Sequence, residues 1–134
     1  MKPSSKPSTL ERFPLHLGRG SRAVPQPEFT GMDWYAGYLE RIAADGGEGW
    51  LVSQHSFGES WTSWEKHPLG DEVVVCTAGE ITLIQELPEG PRRTTLRAGD
   101  YAVNPRGVWH TADVAGPATA LFITAGQGTE HRPR

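Results

Sequence analysis

Glu65, His67 and Glu72 fall close together in a stretch that reads WEKHPLGDEVVVCTAG from Trp64 to Gly79. In an extended chain, side chains two apart leave the same face, so Glu65 and His67 project together. Pro68 favours this, because the residue before a proline avoids the helical region. Leu69-Gly70-Asp71 reads as a turn. Beyond it, Glu72, Val74 and Cys76 share one face of a strand, and Val73 and Val75 share the other. A hairpin of this kind aims two carboxylates and an imidazole at one point. Oxygen and nitrogen donors converging inside a dry barrel suit a divalent transition metal.

The elements that must position these groups are mostly strands. Trp50–Phe57 reads as one strand and Ser60–His67 as the next. Val73–Thr77, Ile81–Leu87, Arg92–Leu96, Tyr101–Val103, Val108–Val114 and Ala118–Thr124 follow. Turns fall at Ala78-Gly79-Glu80, Pro88-Glu89-Gly90-Pro91, Gly99-Asp100, Pro105-Arg106-Gly107 and Gly116-Pro117. Short strands with such regular turns predict an all-β sandwich or barrel. One helix is expected over Asp33–Ala44, with Asp33 as its cap and DGGEG at 45–49 as its end. Trp34, Tyr38 and Ile42 form its apolar stripe, which Tyr35 and Leu39 widen. Met32 is expected to pack in the core with them. Phe13–Leu17 alternates weakly, as an edge strand does. Gly18–Pro27 reads as a loop lying against the body or a partner chain.

The chain has 134 residues, of which 37% are hydrophobic and 22% charged. That length fits one domain. The expected divisions are a disordered tail over 1–10, an arm and helix over 11–49, a barrel over 50–126 and a polar, solvated tail over 127–134. A net charge of −3 gives no reason to expect a nucleic-acid surface. The single cysteine excludes an intramolecular disulfide and fits a reduced cytoplasmic setting. No apolar run approaches the ~20 residues of a membrane span. The N-terminal MKPSSKPSTLERF lacks the apolar core of a signal peptide. A homodimer is expected, with the apolar Phe13–Phe29 segment adding a strand to a neighbour's sheet edge.

At this point the sequence resembles the cupin superfamily. Its first motif, G-x5-H-x-H-x(3–4)-E-x6-G, is matched by Glu65-x-His67, four residues, Glu72, six residues and Gly79. Its second, G-x5-P-x-G-x2-H-x3-N, is matched at Gly99, Pro105, Gly107 and His110. The wording WEKHPLGDE is similar to a bacterial subgroup of small single-domain cupins. The resemblance implies a double-stranded β-helix, or jelly-roll, barrel. It implies His67, Glu72 and His110 as metal ligands and makes Glu65 the candidate fourth. Three positions depart from the pattern. Glu65 stands where the family has its first histidine, Glu59 replaces the leading glycine, and Val114 replaces the closing asparagine. Two histidines with two carboxylates tolerate Fe, Mn, Zn or Ni.

The parity of Val108, His110 and Ala112 agrees with the resemblance, since it sends His110 inward and Trp109 outward. Inward-facing titratable groups are costly to bury without a cation. Other readings stand beside this one. His67 and His110 are also explained as hydrogen-bonded core histidines, and Glu72 as a surface carboxylate. Glu65 is open to three roles: ligand, general base beside the metal, or solvent-facing strand residue. His55 is read as structural or exposed, Cys76 as a small buried hydrophobe, and Trp61, Trp64 and Trp109 as packing residues. The function this favours is a metal-dependent enzyme acting on a small organic molecule, of oxygenase, isomerase or cyclase type. The alternative is a non-catalytic module that binds or senses a small ligand.

Overall fold

A computed structural model describes residues 7–125 and 127–134. Residues 1–6, part of the expected tail, lie outside the described residues. Among those described, the strands are β1 (Leu15–Gly18), β2 (Arg22–Pro25), β3 (Trp50–Phe57), β4 (Ser63–Lys66), β5 (Glu72–Ala78) and β6 (Glu80–Leu87). They continue as β7 (Gly90–Arg97), β8 (Tyr101–Asn104), β9 (His110–Asp113), β10 (Ala118–Thr124) and β11 (Glu130–Pro133). One helix, α1 (Trp34–Arg41), is followed by a 3-10 turn at Ala43–Asp45. None of the described helices is long and apolar enough to cross a membrane.

The strands form two antiparallel sheets, a six-stranded one ordered β2-β1-β3-β10-β5-β8 and a five-stranded one ordered β11-β4-β9-β6-β7. The two inner faces make the core, as in a jelly roll. Alternation decides which residues enter it. On β5, Glu72, Val74 and Cys76 are buried; on β10, Ala118, Ala120, Phe122 and Thr124 are. Cys76 packs with Val74, Ile81, Leu96 and Phe122, as expected of a small hydrophobe. Gly79 closes the β5–β6 turn with φ +74°, and a Cβ there would clash with the Pro117 carbonyl oxygen. Gly79→Ala is therefore expected to cost on the order of 1–3 kcal/mol in a urea titration, from backbone strain and this contact.

Five local expectations are corrected. The segment 18–27 is not a loop: Arg22–Pro25 folds back as β2 and pairs with β1, from Leu15↔Pro25 to Gly18↔Arg22. β1 in turn pairs with β3, so this arm joins the chain's own sheet and β1 is an inner strand. The helix begins as expected, but Asp33 makes no side-chain cap. Met32 is 72% exposed rather than packed in the core. The polar end at 127–134 is not simply solvated, because β11 pairs with β4 over Glu130–Pro133. A strand with so few apolar residues has no hydrophobic pattern to announce it.

The apolar stripe of α1 does bury. Trp34, Tyr38 and Ile42 pack on Leu51 of β3 in a second cluster, with Trp34 stacked on Tyr38 at 5.4 Å. A buried polar clamp then ties the helix to the arm. His16 places Nδ1 2.8 Å from the Tyr38 hydroxyl and Nε2 2.7 Å from Asp45 Oδ2. Arg22 donates to Asp45 Oδ1 at 2.7 Å. The bond from His16, opposed by burial and aided by Arg22, holds the Asp45 carboxyl below its ordinary range. The clamp fixes α1 against the edge of the barrel, where Tyr35 reaches the cavity described next.

Candidate metal centre

Four side chains from two sheets meet at one end of the barrel. Glu65 lies on β4 directly opposite His110 on β9. His67 follows β4, and Glu72 opens β5 in the facing sheet. One donor atom from each of the four lies within 4.8 Å of all the others, a group that could hold a metal ion. Glu72 sits between the histidines, with Oε1 3.1 Å from His110 Nε2 and Oε2 3.2 Å from His67 Nε2. Glu65 Oε2 is 3.7 Å from His110 Nε2 and 3.8 Å from His67 Nε2. His55 is not in the group. It packs between Phe29 and Phe122, at 5.3 and 5.9 Å.

The ring orientations test whether this set fits a cation. Both Nε2 atoms are buried and neither has a hydrogen-bond partner. They approach the Glu72 oxygens closely, yet not in the direction that a donated bond requires. On the far side of each ring, Nδ1 has a partner. His110 Nδ1 faces the Val108 carbonyl oxygen at 3.4 Å, which only accepts. His67 Nδ1 is 2.9 Å from the Thr129 hydroxyl. A neutral ring whose Nδ1 carries the proton presents a bare lone pair at Nε2, as a metal ligand does. Buried polar atoms without partners are costly, and a shared cation removes that cost for both rings.

Glu72 is held in place by a buried chain of amides and a hydroxyl. Asn104 donates to its Oε1 at 3.1 Å and Thr124 to its Oε2 at 2.7 Å. Gln85 in turn donates to Asn104 Oδ1 at 2.8 Å and to the Val103 carbonyl at 2.7 Å. Burial alone would raise the Glu72 carboxyl, but His110 and His67 outweigh it and hold it well below the usual carboxylate range. Burial pulls the His110 imidazole down, and the Glu65 and Glu72 carboxylates overcome this and push it up to about 9.

Glu65, His67 and Glu72 of this group floor a cavity of about 570 Å³ whose walls include Tyr35, Phe57, Trp61, Phe122 and the exposed Met32. Burial, then the charges of Glu65 and Glu72, push the Tyr35 hydroxyl up to about 12. Trp61 packs against Phe57 and Phe122 and reaches the His110 ring at 6.3 Å. Trp109 faces the other way, between Lys66 and Arg132 at 4.7 and 4.5 Å. Trp64 stacks beside Arg132 as well.

Sequence reasoning missed the contribution of the C-terminal segment. His131 pairs with Glu65 in the β11–β4 register, and its Nε2 lies 3.3 Å from Glu65 Oε1. His131, Glu65 and His110 thus form one row across three strands. Thr129, just before β11, supports His67. Asn104, Thr124 and Gln85 were also missed. The available signal was parity: Thr124 closes the buried face of β10, and Asn104 pairs directly with Glu72 across β5 and β8.

A family model described as a cupin domain (Cupin_2) matches residues 56–126. No curated protein matches the chain by sequence. Among solved structures, a recombinant oxalate oxidase in complex with glycolate is similar at 18% identity and TM-score 0.56, over 69% of this chain and 50% of that one. Peruvianin-I, a cysteine peptidase from Thevetia peruviana latex, is similar at 22% identity and TM-score 0.52, over 61% of this chain and 55% of that one. A hydroquinone 1,2-dioxygenase from Sphingomonas sp. TTNP3 with 4-hydroxybenzoate bound is similar at 22% identity and TM-score 0.49, over 56% and 59%. The chain matches roughly half the length of each of these structures. Likeness at this level concerns the fold.

Proposed function

The chain belongs to the cupin domain family, and from that premise we propose that it binds one divalent transition metal through Glu65, His67, Glu72 and His110. We propose further that the loaded site is a metal-dependent enzyme acting on a small organic molecule. The observation that carries the first step is the pair of buried, unpartnered Nε2 atoms beside Glu72. An oxidase and a cysteine peptidase share the barrel, so the reaction class must come from the site rather than the fold.

A bound cation of this kind supplies Lewis-acid polarisation of a carbonyl or enol oxygen. The chain's own residues do the rest. Glu72, locked by Asn104 and Thr124, keeps both histidines in register. Glu65, partly exposed and farther from the rings than Glu72, is placed to accept a proton from a molecule in the cavity. Phe57, Trp61 and Phe122 exclude water from the floor.

The test compares metal-loaded wild type with His110→Ala on enols and 1,3-diketones, following oxygen uptake and proton release. Turnover that needs both the metal and His110 supports the enzyme. Metal retained with no consumption of either returns a non-catalytic binding module.

Two further outcomes follow from the supports around the ligands. Thr129→Val and His131→Ala are each expected to weaken metal binding about 10–100-fold, the usual effect of losing a partner that orients a ligand. Chelator competition measures this, and the metal-free proteins should melt close to wild type. Metal binding should also strengthen with pH. The metal needs neutral His110, whose protonated form persists up to about 9 in the metal-free protein. Affinity should therefore rise about tenfold per pH unit below that value. The same raised value stabilises the metal-free fold fully below 6.5, His110's ordinary value, and that contribution fades as pH climbs through about 9. Urea midpoints of metal-free protein across this range check the sign.

A further inference from the structure

We propose that the cavity takes an uncharged, largely apolar ligand of aromatic size, which presents a neutral oxygen to the metal, and that it rejects carboxylates. This deepens the metal-centre reading and rests on it for the position of that oxygen. The selection against anions has its own basis in the cavity walls.

The first argument is charge. Two carboxylates offset a divalent cation, so the occupied site has no net positive charge to attract an anion. No lysine or arginine lines the cavity among the described residues. The nearest strands do carry cations, but they point elsewhere: Lys66 of β4 and Arg132 of β11 both lie over Trp109 on the outer face. Two further basic side chains face the cavity beside the metal group. His55 is kept uncharged by burial, its pKa lowered between two phenylalanine rings. His131 is already paired to Glu65 at 3.3 Å. An anion in this cavity therefore finds no free counter-charge, and burying it unpaired is strongly unfavourable.

The second argument is shape and surface. Tyr35, Phe57, Trp61 and Phe122 line the cavity with aromatic rings, and Met32 adds an adaptable thioether at the mouth. The volume of about 570 Å³ falls in the range that encloses ligands larger than a few atoms. A two-carbon acid would leave most of that apolar wall wet. A one- or two-ring molecule would cover it.

The experiment is calorimetric titration of zinc-loaded protein at neutral pH with 2-naphthol and with 2-naphthoate. The two share a ring system and differ in charge. Naphthol is expected to bind at least about a hundredfold more tightly, given the penalty for an unpaired buried carboxylate. Met32→Arg, which sets a cation at the exposed mouth, should narrow that ratio by improving naphthoate. Equal or tighter binding of naphthoate by wild type overturns the proposal, and so does a failure of naphthol to bind. Failure of the metal reading is separately visible: zinc content would be near zero while naphthol remained preferred.

Discussion

His110→Ala protein is expected to purify almost free of metal under conditions where wild type carries about one equivalent. His110 is 0% exposed and supplies the innermost imidazole of the group. Its replacement leaves Glu65, His67 and Glu72, with a void on the β9 side that no other donor fills. The loss of affinity should exceed the about 10–100-fold that accompanies loss of a supporting partner, because a ligand itself is gone. Elemental analysis after dialysis reads the effect directly. Wild-type protein should also gain thermal stability on adding zinc, by mass action on the folded state, and His110→Ala should not. Equal metal content in the two proteins would remove the site from the account.

Glu72→Ala carries the second large effect, and it acts on folding as well as binding. Glu72 is the hub of the buried polar network: Asn104 and Thr124 donate to its two oxygens, and His67 and His110 bring Nε2 to 3.2 and 3.1 Å from them. Its removal leaves the Asn104 amide and the Thr124 hydroxyl without their acceptor and takes from His110 one of the two carboxylates beside it. Breaking a buried pair in this way costs about 3–5 kcal/mol. For a domain of this size that corresponds to a fall in melting temperature on the order of 10 °C. Glu72→Gln keeps the shape and an acceptor oxygen, so it should melt closer to wild type while still losing metal affinity. A metal-free Glu72→Ala protein that melts like wild type would contradict the network described here.

The barrel and the heart of the site were legible because both rest on period-two alternation. Alternation and turn residues give β3 and β10 the bounds they have, and Glu72, Val74 and Cys76 fall on one buried face as parity requires. The spacing of Pro105, Gly107 and His110 pointed to a turn that delivers an inward histidine, and His110 is buried. What escaped notice had no such pattern. β2 and β11 are short, largely exposed edge strands, recruited by hydrogen bonding to β1 and β4 rather than by a buried apolar face. Their pairing depends on distant parts of the chain, so no local signal marks Thr129 or His131 as neighbours of His67 and Glu65. Met32 was misread for a related reason. It precedes a buried helical stripe in sequence but lies at the cavity mouth, where an apolar side chain faces a ligand space instead of the core.

X-ray absorption at the edge of the bound metal, on wild-type protein loaded with zinc, tests the central claim most directly. The predicted spectrum contains two imidazole scatterers together with carboxylate oxygen, and it loses one imidazole contribution in His67→Ala loaded at high zinc. A spectrum with oxygen ligands only, or one unchanged by His67→Ala, would place the metal elsewhere and contradict the centre assigned to Glu65, His67, Glu72 and His110.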